Sequence, residues 1–384
     1  MAIKSRQPFG AVECKSCEGS VGLVLNTIKF SVVFILSLLA TAPPAPPGQE
    51  LIPKTESADI AATVATFAGI VRAEYAHGVR PAPRDAHPKA QGCVRGRFTV
   101  APNLPAALRH GVFAQQREYP AWIRFSNGSA VKQADNIGDG RGMAIKLMGV
   151  TGAKLIPDEK FTQDFVMINH PVFFSKDVAD YLALARGIAT NTVPAVLRHL
   201  PDTARIIAAM QAHVVRDMFE ERYFSMSPYT LGDHYMKFSA IPVPCSKSAI
   251  APTWPAALPR DPNFLRARMA QRLHQADVCF DLAIQLQTDA ATQPIEDATA
   301  LWGESDAPFV TVAHLVIPKQ TFTSSAQQSF CEVLSFSPWH GLKDQRPAGG
   351  INRLRLAVYR AGSALRHRLD HAPMIEPTGN ETFH

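Results

Sequence analysis

Arg355 and Tyr359 lie four residues apart in the stretch Arg355-Leu356-Ala357-Val358-Tyr359. In a helix this spacing sets a guanidinium and a phenol one turn apart on one face. A permanent cation beside a phenol favours the phenolate, a hard anionic oxygen ligand suited to ferric iron. Such pairs also occur on ordinary helix faces, so this one gains meaning only from the residues that precede it. Three earlier segments combine basic, polar and aromatic side chains. The first is Arg84-Asp85-Ala86-His87-Pro88-Lys89-Ala90-Gln91-Gly92. The second is Trp122-Ile123-Arg124-Phe125-Ser126, continued by Asp139-Gly140-Arg141-Gly142-Met143-Ala144-Ile145-Lys146. The third is Asp164-Phe165-Val166-Met167-Ile168-Asn169-His170-Pro171-Val172-Phe173-Phe174.

In this order the segments resemble the catalase superfamily. The first is similar to the family's segment with an arginine three residues before the distal histidine. The second resembles its RFS…DPRG-aliphatic-Lys stretch, and the third its DLVGNNTPxFF stretch. Phe336-Ser337-Pro338, shortly before the Tyr359 helix, is a further family-like phrase. The resemblance runs from Arg84 to Leu369. It implies an α+β fold, a catalase-like antiparallel β-barrel core with surrounding helices. It also implies haem b (iron protoporphyrin IX) as cofactor, with Tyr359 as the iron ligand and Arg355 serving the tyrosinate. His87 is the implied distal base: a neutral imidazole with a pKa near the working pH would move a proton between the two peroxide oxygens. Ser126 would hydrogen-bond the far side of that ring and fix its tautomer. Arg84 and Arg124 match positions that bind the haem propionates by charge-assisted bonds, and Arg366 or Arg368 would supply a third such contact. Phe173, Phe174 and Tyr181 would line the pocket. The implied substrates are hydrogen peroxide or an organic hydroperoxide with a small organic electron donor. Two alternatives stand beside this: rearrangement of a lipid hydroperoxide, as in catalase-related allene oxide synthases, and a non-catalytic haem-binding protein.

The departures from the family pattern carry information of their own. With Pro171-Val172-Phe173-Phe174 as anchor, Ile168 takes the place of the family's distal asparagine and Asn169 the next position. Either Asn169 reaches the peroxide through a shifted backbone, or that hydrogen bond is absent. Its absence would weaken peroxide orientation and favour peroxidase over dismutase chemistry. The long amino-terminal arm and the carboxy-terminal extensions of larger members have no counterpart here, so neither bound NADPH nor an arm-exchanged tetramer is expected, although a homo-oligomer is compatible with the sequence.

The elements that must position these residues are read from periodicity. Helices are expected over 58–75, 104–113, 175–188, 193–220 (broken near Pro201), 262–276 and 354–369. Strands are expected over 97–100, 122–127, 142–148, 165–168, 235–242, 280–287 and 309–317. The chain has 384 residues, 46% hydrophobic and 19% charged, enough for a large core. A net charge of +6, without Lys/Arg runs interleaved with aromatics, gives no footprint for nucleic acid. No GxGxxG or P-loop pattern is present, so nucleotide binding has no support. Residues 1–42 stand apart. A loosely basic start leads to an apolar run at 30–39, then Ala40-Thr41-Ala42 and five residues rich in proline. This reads as an export signal or an uncleaved membrane anchor, and thus as a periplasmic or membrane-anchored protein. A proline-rich linker is placed at 43–57 and the haem domain at 58–384. Six cysteines occur. Cys14 and Cys17 form a CxxC inside the leader. Cys279 lies in an alternating strand and is expected as a small core residue. One or two disulfides among Cys93, Cys245, Cys279 and Cys331 are compatible with export, without a pairing that the sequence can assign.

Overall fold

The computed structural model describes residues 50–246 and 252–383. The expected export segment at 1–42, its CxxC and residues 43–49 of the expected linker lie outside these residues. Nine strands form the sheet: β1 (Ala90–Val100), β2 (Glu118–Asn127), β3 (Arg141–Met148), β4 (Thr162–Ile168), β5 (Tyr223–Phe224), β6 (Tyr229–Leu231), β7 (His234–Val243), β8 (Val278–Leu286) and β9 (Val310–Ile317). Their order is β5-β4-β3-β2-β1-β9-β8-β7-β6, and β5 also pairs with β7. Every pairing is antiparallel, and the β5–β7 contact closes the sheet into a barrel with β6 outside the ring. Closure removes the exposed edges that an open sheet would present.

Among the described residues seven helices surround the barrel: α1 (Glu56–Ala76), α2 (Val178–Ala189), α3 (Val193–Leu197), α4 (Pro201–Ala212), α5 (Phe264–Gln275), α6 (Ser325–Val333) and α7 (Gly350–Leu369). Strand alternation decides what faces where. On β2, Ile123 and Phe125 enter the barrel core with Phe98, Ile145, Phe165, Phe238 and Phe280. Trp122, Arg124 and Ser126 therefore share the outer face. On that outer side a second apolar cluster joins Phe67 of α1, Ile168 at the end of β4, Val178 and Ala185 of α2, and Leu354 and Val358 of α7. The candidate site lies along this seam between barrel and helices.

Helix α7 is held at its start by charge. Arg353 ion-pairs with Glu50, Glu56 and Glu296 at 2.6–3.0 Å. Glu50 and Glu296 also accept the first backbone N–H groups, from Gly349 and Gly350. Carboxylates at a helix N-terminus complement its dipole.

Several expectations are corrected. The helix expected at 104–113 is two short 3-10 turns, at Ala106–Leu108 and Gly111–Phe113. Helix α4 stops at Ala212 rather than Glu220; beyond it Asp217 accepts from the Phe219 N–H and ion-pairs with Arg272 at 2.7 Å, pinning a non-helical segment. Strand β1 begins at Ala90, seven residues before the expected start, because pairing with β2 extends it through glycines that local propensity disfavours. Cys279 is half-buried and disulfide-bonded to Cys245, not a core thiol. A second disulfide joins Cys93 of β1 to Cys331 of α6. Helix α6 itself was unanticipated: it is a polar nine-residue segment, capped by Ser324 and tied to the barrel by that bond.

Candidate functional site

His87 sits in the turn leading into β1 with φ at +60°, a left-handed conformation uncommon for a side chain of this size. Its backbone is gripped on both sides. The carbonyl accepts from Arg124 Nη2 at 2.8 Å, and the N–H donates to the Gly128 carbonyl at 3.4 Å. Ring Nδ1 lies 3.0 Å from Ser126 Oγ. Ser126 faces Gly142 across the β2–β3 pairing. A Cβ on Gly142 would meet both His87 Nδ1 and Ser126 Oγ at 2.7 Å, so the imidazole rests directly on the strand backbone. Gly142 belongs to the quoted motif, but only its position inside a strand hinted at such a close approach.

Burial, then the Arg124 cation, depress the His87 pKa to about 3; Arg355 and Arg84 add to the effect. The expectation of a pKa near the working pH is thereby corrected. The ring is neutral across the physiological range because charging it would add a desolvated cation to a cluster of guanidiniums.

On the other side, Arg355 Nη2 donates to the Tyr359 hydroxyl oxygen at 3.1 Å. Arg355 Nη1 is held by Ser227 Oγ at 3.3 Å and Asn352 Oδ1 at 3.2 Å. Asn352 is in turn fixed by the Pro228 and Ala348 carbonyls. Burial opposes the Arg355 charge, yet Tyr359, Tyr229 and Tyr181 together raise its pKa. Sequence reading had not singled out Ser227 or Asn352, since nothing local marks a residue that orients an arginine.

Phe173, Phe174 and Tyr181 form one aromatic wall, with centroids 4.4 Å apart for the two phenylalanines and 5.8 Å from each to Tyr181. Burial, with Asp85 and Tyr359 nearby, pushes the Tyr181 pKa up, so it stays a neutral phenol. Arg84, Asp85, His87, Tyr181 and Tyr359 all keep partial accessibility. Burial is nevertheless the largest influence on the titration of the first four.

Arg84, Arg124 and Arg366 close one end. Their acceptors among the described residues are backbone carbonyls: Cys331, Glu332 and Leu334 for Arg84, His87 for Arg124, and Glu332 for Arg366. None of the three has an ion-pair partner among those residues. Burial, then mutual repulsion through Arg84, lowers the pKa of both Arg124 and Arg366 to about 9. Glu332 lies within their field: burial works against its charge, but Arg84, Arg124, Arg366 and Lys132 outweigh it and hold the carboxyl low. Two buried guanidiniums and a partly accessible third, without a paired carboxylate among the described residues, fit a group that brings carboxylates of its own.

Asn169 is engaged elsewhere. Its Oδ1 accepts from the Arg141 N–H at 2.6 Å and its Nδ2 donates to Glu221 at 2.9 Å, so both ends of the amide are in use. Ile168 instead points into the apolar cluster with Phe173. One acidic–histidine group among the described residues, Glu159, Asp164 and His340, has the spacing of metal ligands. Lys146 already fills it: its Nζ binds Glu159, lies 2.8 Å from Asp164 and 3.3 Å from His340 Nδ1. The Ser337 N–H also donates to Asp164, at 2.8 Å. Lys146, Asp164 and Ser337 come from three of the recognised phrases, and their shared task is to lock strands and loop together.

A family model described as Catalase matches residues 73–204. A catalase-related peroxidase of Mycolicibacterium paratuberculosis is 25% identical over 309 residues, covering 78% of this chain and 94% of that protein. Residues 73–204 thus form a catalase-like segment of the chain. The family match contains Arg84, His87, Arg124, Ser126, Asn169, Phe173 and Tyr181, while Arg355, Tyr359 and Arg366 lie beyond it. Among solved structures, a fungal catalase aligns with a TM-score of 0.57 at 16% identity, over 81% of this chain and 65% of that one. Catalase A from Saccharomyces cerevisiae gives 0.57 at 17%, over 82% and 67%. These two show the shared fold, and the chain spans about two thirds of their length.

Proposed function

We propose that this chain is a haem-dependent peroxidase that reduces hydrogen peroxide or an organic hydroperoxide. The observation that carries the reading is a trio of guanidiniums, two of them buried, without ion partners among the described residues, set beside a neutral imidazole and the Arg355–Tyr359 pair. Arg84, Arg124 and Arg366 would hold the carboxylates of haem b, Phe173 and Tyr181 would pack on its face, and the Tyr359 oxygen would ligate its iron. When bound, haem b supplies a ferric centre that accepts peroxide and stores oxidising equivalents.

The protein's own part is proton handling and positioning. The Asn127 backbone carbonyl adds an acceptor beside the His87 ring. A carbonyl can only accept, whereas the Ser126 hydroxyl can do either. With the Ser126 hydroxyl accepting from Nδ1, Nε2 is left as the basic atom. His87 then takes the proton from one peroxide oxygen and returns it to the other, which leaves as water or alcohol. Arg355 keeps a positive charge against the Tyr359 oxygen, where a ligating phenolate would carry its negative charge. Ile168 offers no hydrogen bond where an amide would orient hydrogen peroxide, which favours reduction by an organic donor over dismutation. Asn169 serves as a positioning residue for Arg141. The same apolar lining suits a lipid hydroperoxide, and product analysis with fatty-acid hydroperoxides separates rearrangement from reduction. Two disulfides support an oxidising compartment, in keeping with an export segment at 1–42. Among the described residues no helix is long and apolar enough to cross a membrane.

The test is an absorption spectrum of purified protein loaded with hemin. Wild type should give a Soret band that Tyr359→Phe shifts or abolishes, and peroxide-dependent dye oxidation that His87→Ala cuts about a hundredfold or more with haem retained. A wild type that stays colourless, or a His87→Ala variant with undiminished turnover, would refute the reading.

A further inference from the structure

A groove of about 880 Å³ lies against Arg366 of the arginine cluster, and neither His87 nor Tyr359 lines it. Its floor is apolar, with Pro88, Pro262 and Val333 among the lining residues, and its cations include Lys132, Arg266 and Arg366. The charge is unbalanced. Lys89 also lines it but is neutralised by Asp135 at 2.8 Å. Of the two lining carboxylates, Asp370 accepts from the Ala82 N–H and Glu332 sits in the field of the arginine trio. Arg266 donates to the Ala90 and Gln91 carbonyls and to Gln328 Oε1, all neutral acceptors. Lys132 is exposed, with no ion-pair partner among the described residues. An apolar floor under unneutralised cations is complementary to a flat, partly hydrophobic anion. Arg366 belongs to both the groove and the trio, so an occupant would lie against the wall of the peroxide site.

We propose that this groove binds the second substrate, a small aromatic carboxylate that acts as electron donor; the proposal rests on the peroxidase reading above. The reaction balances with two donors per turnover. Each loses one electron and one proton. The O–O bond of the peroxide breaks and takes up the two electrons and two protons, leaving two waters, or a water and an alcohol. The carboxylate is not consumed; it holds the donor ring against the floor while Lys132 and Arg266 meet its charge.

The experiment uses the haem-loaded full chain with ferulate, a phenolic carboxylate, and guaiacol, a neutral phenol. Two substitutions are made away from the catalytic groups: Lys132→Glu, which reverses one charge, and Ser329→Trp, which fills the groove from an exposed position. Calorimetric titration without peroxide should show ferulate binding weakened about tenfold by Lys132→Glu and more by Ser329→Trp. In turnover, KM for ferulate should rise with kcat little changed, and for Lys132→Glu the guaiacol kinetics should stay at wild-type values. The proposal is overturned if wild type does not bind ferulate, if neither variant weakens binding, or if Lys132→Glu impairs both donors equally. Failure of the peroxidase reading would look different: wild type would leave guaiacol unoxidised as well.

Discussion

Replacing Gly142 with alanine adds one methyl group where the structure has no room. The new Cβ would lie 2.7 Å from both His87 Nδ1 and Ser126 Oγ and 2.8 Å from His87 Cε1. Ordinary van der Waals contact begins near 3.4 Å, so about 0.7 Å must open between strand and ring. Neither partner gives easily. The His87 backbone is held by Arg124 and Gly128 in a left-handed conformation, and Gly142 is paired to both Ser126 and Ile168. Overpacking of this kind costs about 1–3 kcal/mol of stability. The functional loss should be larger, because moving a proton acceptor by roughly 1 Å can cost about a hundredfold in rate. Arg355 and Tyr359 do not touch Gly142, so hemin binding and the Soret maximum should be unchanged. Steady-state peroxide reduction, hemin titration and thermal unfolding would be measured on the same preparation. Wild-type turnover in a folded, haem-loaded Gly142→Ala protein would refute the placement of His87 against this strand, and loss of hemin binding would refute the separation of the two halves of the site.

The depressed His87 pKa makes a pH prediction with a definite sign. Between the unfolded value near 6.5 and the folded value of about 3, the unfolded chain binds the extra proton, so stability falls as pH drops through that window. His87→Gln lacks this liability and should gain about 2 kcal/mol relative to wild type between pH 7 and pH 5, read from urea unfolding of the haem-free proteins; a constant difference across that range would contradict it. For Lys146→Met, removal of the ammonium from Glu159, Asp164 and His340 should cost about 3–5 kcal/mol, while the folded fraction keeps its haem spectrum. Wild-type stability in that variant would show the cluster to be unimportant. Ile168→Asn puts an amide where the pattern of the superfamily has one. Oxygen evolution from hydrogen peroxide should rise relative to dye oxidation, at a stability cost of about 1–3 kcal/mol for the buried polar group; an unaltered ratio would remove Ile168 from the choice between the two reactions.

Much of the site was legible because its residues lie in short runs with fixed periodicity. The four-residue spacing of Arg355 and Tyr359 became a real hydrogen bond, since a helix converts that spacing into contact wherever it forms. Arg366 follows Arg355 by eleven residues, close to three helical turns, so it shares the stripe that carries Tyr359. Arg124 and Ser126 share the outer face of β2 through strand alternation alone. The alternating strands at the barrel core were recognisable for the same reason. Elements that depend on distant partners were not. The early start of β1 and the existence of α6 rest on cross-strand pairing and on the Cys93–Cys331 bond, which joins residues 238 positions apart.

From the sequence came the candidates for ligating and moving a proton, named through the resemblance of short motifs to the catalase superfamily, and the barrel-with-helices class, because motif order and local periodicity are properties of neighbours in the chain. The tertiary structure decided which of those side chains have partners. It assigned Lys146, Asp164 and Ser337 to a structural lock, occupied both ends of the Asn169 amide, left three guanidiniums without ion partners among the described residues, and drove the His87 pKa down to about 3. Burial and the summed field of residues far apart in sequence set these outcomes, and neither quantity exists until the chain has closed around them.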